Sequence, residues 1–202
     1  MTEKVGVFGG SFDPIHFGHI NLALQLYEKK LVDKIIFIPA RCSPFKVDKP
    51  PKADGKHRIN MLKLALEELA FASIDDIELK RDGISYTIDT IKLLKEKFTH
   101  LRLIAAQDVA CEIHKWKNYQ DIIEMAPLII GKREEYLPNL QGMDENLKNM
   151  INKNLIPIKN MDISSTDIRE RLKNSLYCSH LVSAKVLDYI YQHKLYCLSL
   201  SK

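Results

Sequence analysis

The sequence lacks the features that define several classes of protein. Its four cysteines in 202 residues are scattered without the paired spacing of a zinc site or a disulfide framework. No apolar run approaches the roughly 18 residues of a membrane-spanning helix. The first residues also lack a basic segment followed by a long apolar one. We therefore expect a reduced, cytoplasmic protein that is neither secreted nor inserted in a membrane.

Charge and length restrict the partners and the domain count. The 30 basic and 26 acidic residues give a formal net charge of +4 and are interspersed along the chain. Because no stripe of basic and aromatic residues is present, we do not expect a nucleic-acid partner. A chain of 202 residues with 46% hydrophobic content can bury one substantial core, so we predict a single domain over residues 1–202. The sequence leaves open whether this domain forms a homo-oligomer.

Short apolar runs alternate with segments of helical periodicity. The runs that we interpret as strands are bounded by glycine, proline or charge, and they lie at 4–9, 34–39, 77–80, 101–106, 127–132 and 155–159. Apolar spacing predicts helices around 59–69 and 88–98, with a C-terminal helical portion from about residue 164 onward. This alternation is typical of an α/β, doubly wound, Rossmann-like fold, in which a mostly parallel sheet has helices on both faces. Ligands of such sheets bind beyond the carboxyl ends of the strands.

A glycine-rich turn follows the first predicted strand. The segment GGSFDPIHFGH at 9–19 leads into a helical pattern, and backbone N–H groups at such a turn bind anions. His16 and His19 are three residues apart, so both can face one phosphate from the first helical turn. A histidine can donate a hydrogen bond to charge that grows on a phosphoryl oxygen during transfer. The structural alternative is that the glycines form a tight turn and the histidines cap or pack locally.

A second polar segment, DISSTDIR at 162–169, follows the last predicted strand. Ser164 and Asp167 have the spacing of a capping box, which predicts the start of a helix with free N–H and hydroxyl groups. The planar guanidinium of Arg169, about one turn further on, can bind two phosphate oxygens. Such a cap followed by arginine is commonly structural when it stands alone. Combined with the first motif, it favours a phosphate site.

The first motif fits neither of two common nucleotide-binding patterns, because the Walker lysine and the GxGxxG spacing are both missing. It resembles instead the HxGH signature of the nucleotidylyltransferase superfamily, and ISSTDIR resembles that superfamily's ISSTxIR signature. The resemblance implies nucleotide transfer from ATP, with His16, His19 and Arg169 as catalytic residues. The ATP contacts that it implies within the two motifs are Gly9, Gly10, Ser11, Phe12, His16, Gly18, His19, Ser164, Ser165, Thr166 and Arg169.

The segments between these motifs resemble bacterial nicotinate-nucleotide adenylyltransferases, and the similarity spans nearly the whole chain. They are SPFK at 43–46, RINML at 58–62, SYTIDT at 85–90, QD at 107–108 and HKW at 114–116. The resemblance implies that Thr87 and Trp116 contact the nicotinate ring, Asp108 the ATP-side ribose and Lys46 the acceptor phosphate. An indole in a polar loop can stack on an electron-poor pyridinium, although a core position is the alternative for Trp116.

The reaction that this resemblance implies is transfer of AMP from ATP to nicotinate mononucleotide. Its products are nicotinate adenine dinucleotide and pyrophosphate, in NAD biosynthesis. Mg²⁺ is expected to arrive with ATP, because no cluster of carboxylates suggests a protein site for a metal.

The sequence departs from that family's pattern at Phe45, Ala106 and Ser183, where the family usually has histidine, glycine and proline. Two other functions stay open. One is an adenylyl- or cytidylyltransferase of the same fold with another acceptor, such as phosphopantetheine, and the SYTIDT segment and Trp116 argue against it. The other is a nucleotide-sensing protein without turnover, which only Phe45 and Ala106 support.

Overall fold

A computed structural model describes residues 2–132 and 140–196, which form a parallel sheet covered by helices. The strands are β1 Lys4–Gly10, β2 Lys34–Pro39, β3 Ala72–Ile74, β4 His100–Ala106, β5 Leu128–Lys132 and β6 Leu155–Pro157. The helices are α1 Phe17–Glu28, α2 Gly55–Leu66, α3 Ile77–Lys80, α4 Thr87–Lys95, α5 Gln107–Ala110, α6 Tyr119–Met125, α7 Glu145–Lys153, α8 Ser165–Lys173 and α9 Ala184–Gln192. Single 3₁₀ turns lie at Pro44–Lys46 and Ile113–Lys115.

The strand order is β3-β2-β1-β4-β5-β6, and every neighbouring pair is parallel. The chain runs outward from β1 through β2 to β3, then returns to β4 on the other side of β1. The direction of winding therefore reverses between β1 and β4. Ligands of doubly wound sheets bind at this reversal, outside the carboxyl ends of the strands.

Each face of the sheet carries its own apolar core. Val5 and Val7 of β1 pack on one face with α4, α5, α6 and α7, whereas Phe8 packs on the other face with α1, α2, α8 and α9. β5 alternates in the same way, because Leu128 and Ile130 belong to the first core and Ile129 to the second. The predicted doubly wound α/β fold is therefore confirmed.

One predicted strand is wrong. Residues 77–80 form α3, and the strand that pairs with β2 is β3, a few residues earlier. A four-residue apolar run does not distinguish strand from helix by its pattern. Two local contacts favour a helical turn here. The Asp75 carboxylate accepts the Ile77 N–H at 3.0 Å, and the Asp76 carboxylate lies 2.7 Å from Lys80 Nζ.

The other elements lie close to their predicted positions, with shorter ends at β5 and β6. Ser183, where the family usually has proline, begins α9 as its N-cap and accepts the Val186 N–H at 3.4 Å. In the described parts of the chain, Cys42, Cys111 and Cys178 carry no disulfide; Cys197 lies outside them. None of the helices described there is long and apolar enough to cross a membrane.

Candidate active site

The first motif forms the turn between β1 and α1, at the winding reversal. Gly10 is the last residue of β1, His16 is the N-cap of α1, and His19 lies in its first turn. The two imidazole rings stack with centroids 3.7 Å apart and planes 29° apart. They therefore lie on one side of the turn, as their spacing predicts.

The surroundings of His19 define its protonation. Its Nδ1 accepts the backbone N–H of His16 at 3.3 Å. Burial lowers the pKa of His19 well below the usual 6.5, and the neighbouring His16 and Lys46 lower it further. The ring is therefore neutral near pH 7, and its one proton lies on Nε2 because Nδ1 acts as an acceptor. His19 can offer a single N–H donor to a phosphate.

Two glycines of the motif serve different purposes. A Cβ on Gly18 would lie 3.0 Å from Nδ1 of His16, so any other residue would crowd the histidine ring and require it to shift. A Cβ on Gly9 would meet no atom within 4 Å, so packing does not require glycine there and the space is open to a ligand. The ring of Phe12 is buried and packs edge-on against Phe8. The residue as a whole is 1% exposed, so its ring serves the core and not a ligand in this conformation.

The second motif begins α8 and lies directly against the first. Ser164 is the N-cap, and its Oγ accepts the Asp167 N–H at 3.0 Å. The hydroxyl of Ser165 donates to the carbonyl of Pro14 at 2.9 Å, and Arg169 Nη1 donates to the carbonyl of Asp13 at 2.7 Å. Two long-range contacts thus join the two predicted phosphate motifs.

Arg169 is held by side chains as well as by the backbone. Its Nη2 donates to Thr166 Oγ1 at 3.1 Å, and its Nη1 lies 3.7 Å from Oδ2 of Asp13. A quarter of the Arg169 side chain remains exposed. The guanidinium is oriented within the second motif and still accessible to a ligand.

Asp13 is the main site residue that sequence reasoning missed. Its carboxylate is buried and accepts N–H groups of Lys52 at 2.7 Å and Ala53 at 3.0 Å, together with the hydroxyl of Tyr196 at 2.7 Å. These contacts join the first motif to the loop before α2 and to the segment after α9. The sequence places an acidic residue inside the motif, but it carries no signal of its burial or partners.

Arg58 is the second missed residue. The resemblance singles out the segment in which it lies without giving it a role. Its Nη1 donates to the carbonyls of Ser11 at 2.8 Å and Ala40 at 2.7 Å, and its Nε donates to that of Ala53 at 3.2 Å. Burial lowers the pKa of Arg58, and the negative charge of Asp13 opposes this shift. The guanidinium therefore fixes the chain after β1 relative to the chain after β2.

The predicted acceptor residues are Lys46, in the loop after β2, and Thr87, at the start of α4, and hydrogen bonds join these two segments. Lys46 Nζ is 3.4 Å from Ser11 Oγ, which brings this lysine to the first motif. Ser85 donates its N–H to the carbonyl of Cys42 at 2.8 Å and accepts the N–H of Arg41 at 3.0 Å. This contact fastens the start of α4, where Thr87 is the first residue, to the loop after β2.

Trp116 follows the 3₁₀ turn at Ile113–Lys115, and its half-buried side chain packs against the apolar core that includes α4. The alternative to stacking on a ligand was a core position, and the buried part of Trp116 has that position. The next residue, Lys117, places its Nζ 4.6 Å from the centre of the Tyr86 ring. The loop that carries Trp116 therefore contacts the residue immediately before Thr87.

Asp108 is exposed in the first turn of α5, directly after β4. Ala106, which replaces the family's glycine, has φ −74° and ψ 156°. Any L-residue adopts this extended conformation without strain. The change from glycine to alanine therefore imposes no backbone cost at this turn.

Over residues 2–132 and 140–196, no group of three or more His, Cys, Asp or Glu residues could hold a metal ion. Besides the buried Asp13 carboxylate, the groups that meet at the joined motifs are donors and cations: the hydroxyls of Ser164 and Thr166, His19, Lys46 and Arg169. This chemistry suits anionic phosphates.

Comparison with known proteins identifies the family. The model of the family described as cytidylyltransferase-like matches residues 7–171. A Hydrogenobaculum protein named "Probable nicotinate-nucleotide adenylyltransferase" is 41% identical over 196 residues, which cover 96% of this chain and 99% of that protein. The chain belongs to the nicotinate-nucleotide adenylyltransferase family. A relative of the same name from Dictyoglomus thermophilum is 37% identical over 197 residues, or 96% of this chain and 99% of its own.

Solved structures support the fold of this adenylyltransferase family member. Plasmodium falciparum nicotinic acid mononucleotide adenylyltransferase, complexed with NaAD, matches with a TM-score of 0.77 at 22% identity, over 96% of this chain and 97% of its own. The same enzyme complexed with APC matches with a TM-score of 0.76. The sequence prediction of family and fold is confirmed.

Proposed function

We propose that the chain transfers AMP from MgATP to nicotinate mononucleotide, giving nicotinate adenine dinucleotide and pyrophosphate. The observation that carries the proposal is the junction of the two motifs. Arg169 and Ser165 of the second motif bind the backbone of Asp13 and Pro14 in the first, at the winding reversal of the sheet. This junction supports the proposal because it brings the donors of both motifs together, in a chain that matches its adenylyltransferase relatives over nearly their full length.

The ATP half of the site consists of the two motifs. The open space at Gly9 lets a nucleotide approach the backbone, and neutral His19 donates Nε2–H to an oxygen of the transferring phosphate. His16 lies against His19 and acts on the same phosphate region. Arg169, with the hydroxyls beside it, binds the β and γ phosphates. Asp108, after β4, binds the ribose.

The acceptor half consists of Lys46, Thr87 and Trp116. Lys46 neutralises the acceptor phosphate, which its position beside Ser11 brings next to the ATP phosphates. Thr87 donates a hydrogen bond to the pyridine carboxylate from the start of α4. The exposed part of the Trp116 ring stacks on the pyridinium.

The reaction is an in-line displacement without a covalent enzyme intermediate. A phosphate oxygen of nicotinate mononucleotide attacks the α-phosphorus of ATP, and the bond from that phosphorus to the β-phosphate oxygen breaks as pyrophosphate leaves. No side chain has to take up a proton in this step, because the attacking oxygen is already ionised. The protein contributes position and electrostatic stabilisation of the charge on the equatorial and leaving oxygens.

Mg²⁺ belongs to the substrate MgATP in this proposal, which the donor-rich lining of the site supports. We also propose that residues 1–202 form a single cytoplasmic domain. Cys42, Cys111 and Cys178 form no disulfide, which suits a reducing compartment.

The test is a pyrophosphate-release assay with MgATP and each of three acceptors: nicotinate mononucleotide, its amide analogue and phosphopantetheine. We expect turnover with the first and at least about tenfold lower kcat/KM with the second. Turnover with phosphopantetheine alone would support a different acceptor, and ATP binding without turnover would support a nucleotide sensor. The His19→Ala variant controls for contaminating activity.

A further inference from the structure

Tyr196 reaches back from the segment after α9 to the first motif. Its hydroxyl donates to Oδ1 of Asp13 at 2.7 Å, across 183 positions of the sequence. Its ring is half-buried against the core that contains α1 and α8. Burial and the negative charge of Asp13 raise the pKa of the Tyr196 hydroxyl, so this group keeps its proton and remains a donor.

The backbone at this point adopts a conformation that is unusual for its residues. α9 ends at Gln192, and the chain then turns through Lys194 at φ 51° and Tyr196 at φ 61°. The left-handed region is unfavourable for residues with a side chain, and most so for bulky ones. Surrounding contacts must hold such residues in place, and such outliers cluster at functional sites.

The Tyr196 contact determines which partners remain for Asp13. Oδ1 binds Tyr196 and the N–H of Ala53, and Oδ2 binds the N–H of Lys52. Oδ1 thus accepts two donors and Oδ2 one, and Oδ2 is the oxygen that lies 3.7 Å from Arg169 Nη1, longer than the roughly 2.7–2.9 Å of a charge-assisted hydrogen bond. Nη1 binds the Asp13 carbonyl instead, at 2.7 Å.

Removal of the Tyr196 hydroxyl would change which groups bind the Asp13 carboxylate. Oδ1 would lose its side-chain donor, and the only cation that the structure places within 4 Å of the Asp13 carboxylate, among the described residues, is Arg169. A buried carboxylate that loses one of its three donors has its charge less well stabilised, so it attracts such a cation more strongly. The guanidinium would then turn from the phosphate site toward Asp13.

We propose that Tyr196 is a positioning residue for adenylyl transfer: by occupying Asp13, it keeps Arg169 available to the phosphates of ATP. The inference rests on the proposed function, in which Arg169 binds the leaving pyrophosphate. Tyr196 acts through Asp13 and Arg169 and does not touch the substrate.

The experiment compares Tyr196→Phe with Tyr189→Phe. Tyr189 is the matched control because its hydroxyl, on α9, is also hydrogen-bonded within the fold: it lies 2.9 Å from His57 Nδ1 and accepts from Asn60 Nδ2 at 2.9 Å. We expect Tyr196→Phe to raise KM for ATP and lower kcat, with about a tenfold loss in kcat/KM for ATP and little change in KM for the acceptor. Tyr189→Phe should lower the melting temperature and leave the kinetic constants unchanged.

A double-mutant cycle with Arg169→Lys tests whether Tyr196 affects ATP use through Arg169. If Tyr196 acts through Arg169, Tyr196→Phe changes KM for ATP far less in the Arg169→Lys background than in the wild type. Equal effects in the two backgrounds, or wild-type kinetics for Tyr196→Phe, would overturn the inference and leave the function standing. A wild-type chain that binds ATP without transferring AMP would refute the proposed function instead. ATP dissociation constants from calorimetry would then complete the same cycle without turnover.

Discussion

The Ser165 hydroxyl donates its proton to the carbonyl of Pro14 at 2.9 Å, whereas the Ser164 hydroxyl accepts an N–H from Asp167. A serine hydroxyl has one proton to donate. Ser165 therefore uses its proton to join the two motifs, and Ser164 keeps its proton available for a phosphate. The adjacent serines of this motif thus differ in whether their proton is already used within the protein.

Ser165→Ala is expected to lower the free energy of unfolding by about 1 kcal/mol, because a hydrogen bond between distant segments is lost. It should also lower kcat/KM for ATP, since the second motif is no longer fixed against the first.

Thr166→Ala is the control. Its exposed hydroxyl only accepts from Arg169, so it should affect ATP use with a stability change within about 0.5 kcal/mol. Denaturant unfolding and steady-state kinetics of both variants decide the question, and wild-type stability of Ser165→Ala would contradict the prediction.

His19→Ala should reduce kcat at least about a hundredfold while the fold survives, because a donor to the transferring phosphate is lost. His16→Ala should behave similarly. His100→Ala, at the exposed start of β4, serves as the control and should keep wild-type kcat. Near-normal kcat of either motif variant at saturating ATP would remove the first motif from the chemistry.

The success of the sequence-based predictions depended on whether the deciding interaction was local. The HxGH spacing and the Ser164 cap involve residues three positions apart, and both geometries are found as predicted. The strand at 77–80 failed because two aspartates, rather than the apolar run, select a helical turn there. The partners of Asp13 could not be predicted, since Tyr196 lies 183 positions away and only the folded chain brings it close.

Stability should depend on pH through His19. Above its usual pKa of 6.5 the ring is neutral in both the folded and the unfolded chain. As the pH falls through 6.5, the unfolded chain binds a proton that the folded chain, with its lowered pKa, does not bind. The free energy of unfolding then falls by up to about 1.4 kcal/mol per pH unit until the folded pKa is reached.

Urea unfolding near pH 7.5 and pH 5.5 measures this contribution. His19→Asn should lose less stability than the wild type over the interval, because the group with the lowered pKa is gone. His100→Asn should follow the wild type. Identical pH dependence for His19→Asn and the wild type would show that His19 has the same pKa in both states.

Nicotinate mononucleotide should be preferred over its amide analogue. The carboxylate can accept hydrogen bonds on both oxygens, whereas the amide NH₂ group leaves at least one donor of the site unpaired. An unpaired buried donor costs about 1–3 kcal/mol, or roughly ten- to a hundredfold in kcat/KM. Thr87→Val should erode this preference without abolishing adenylyl transfer, and exposed Thr99→Val is the control. Equal kcat/KM for acid and amide in the wild type would falsify the nicotinate assignment.

Two of the long-range contacts to the first motif also affect how the site forms during biosynthesis. Ser165 meets Pro14 across 151 positions, and Tyr196 meets Asp13 across 183. On the ribosome, the β1 turn and α1 emerge early, but Ser165 and Tyr196 emerge only when most of the described chain has been made. A nascent chain that has already paired β1 with β2 therefore lacks these contacts to the first motif. Translation that stops before residue 164 yields a product that contains the first motif but lacks Ser165 and Arg169, the residues of the second motif that contact it.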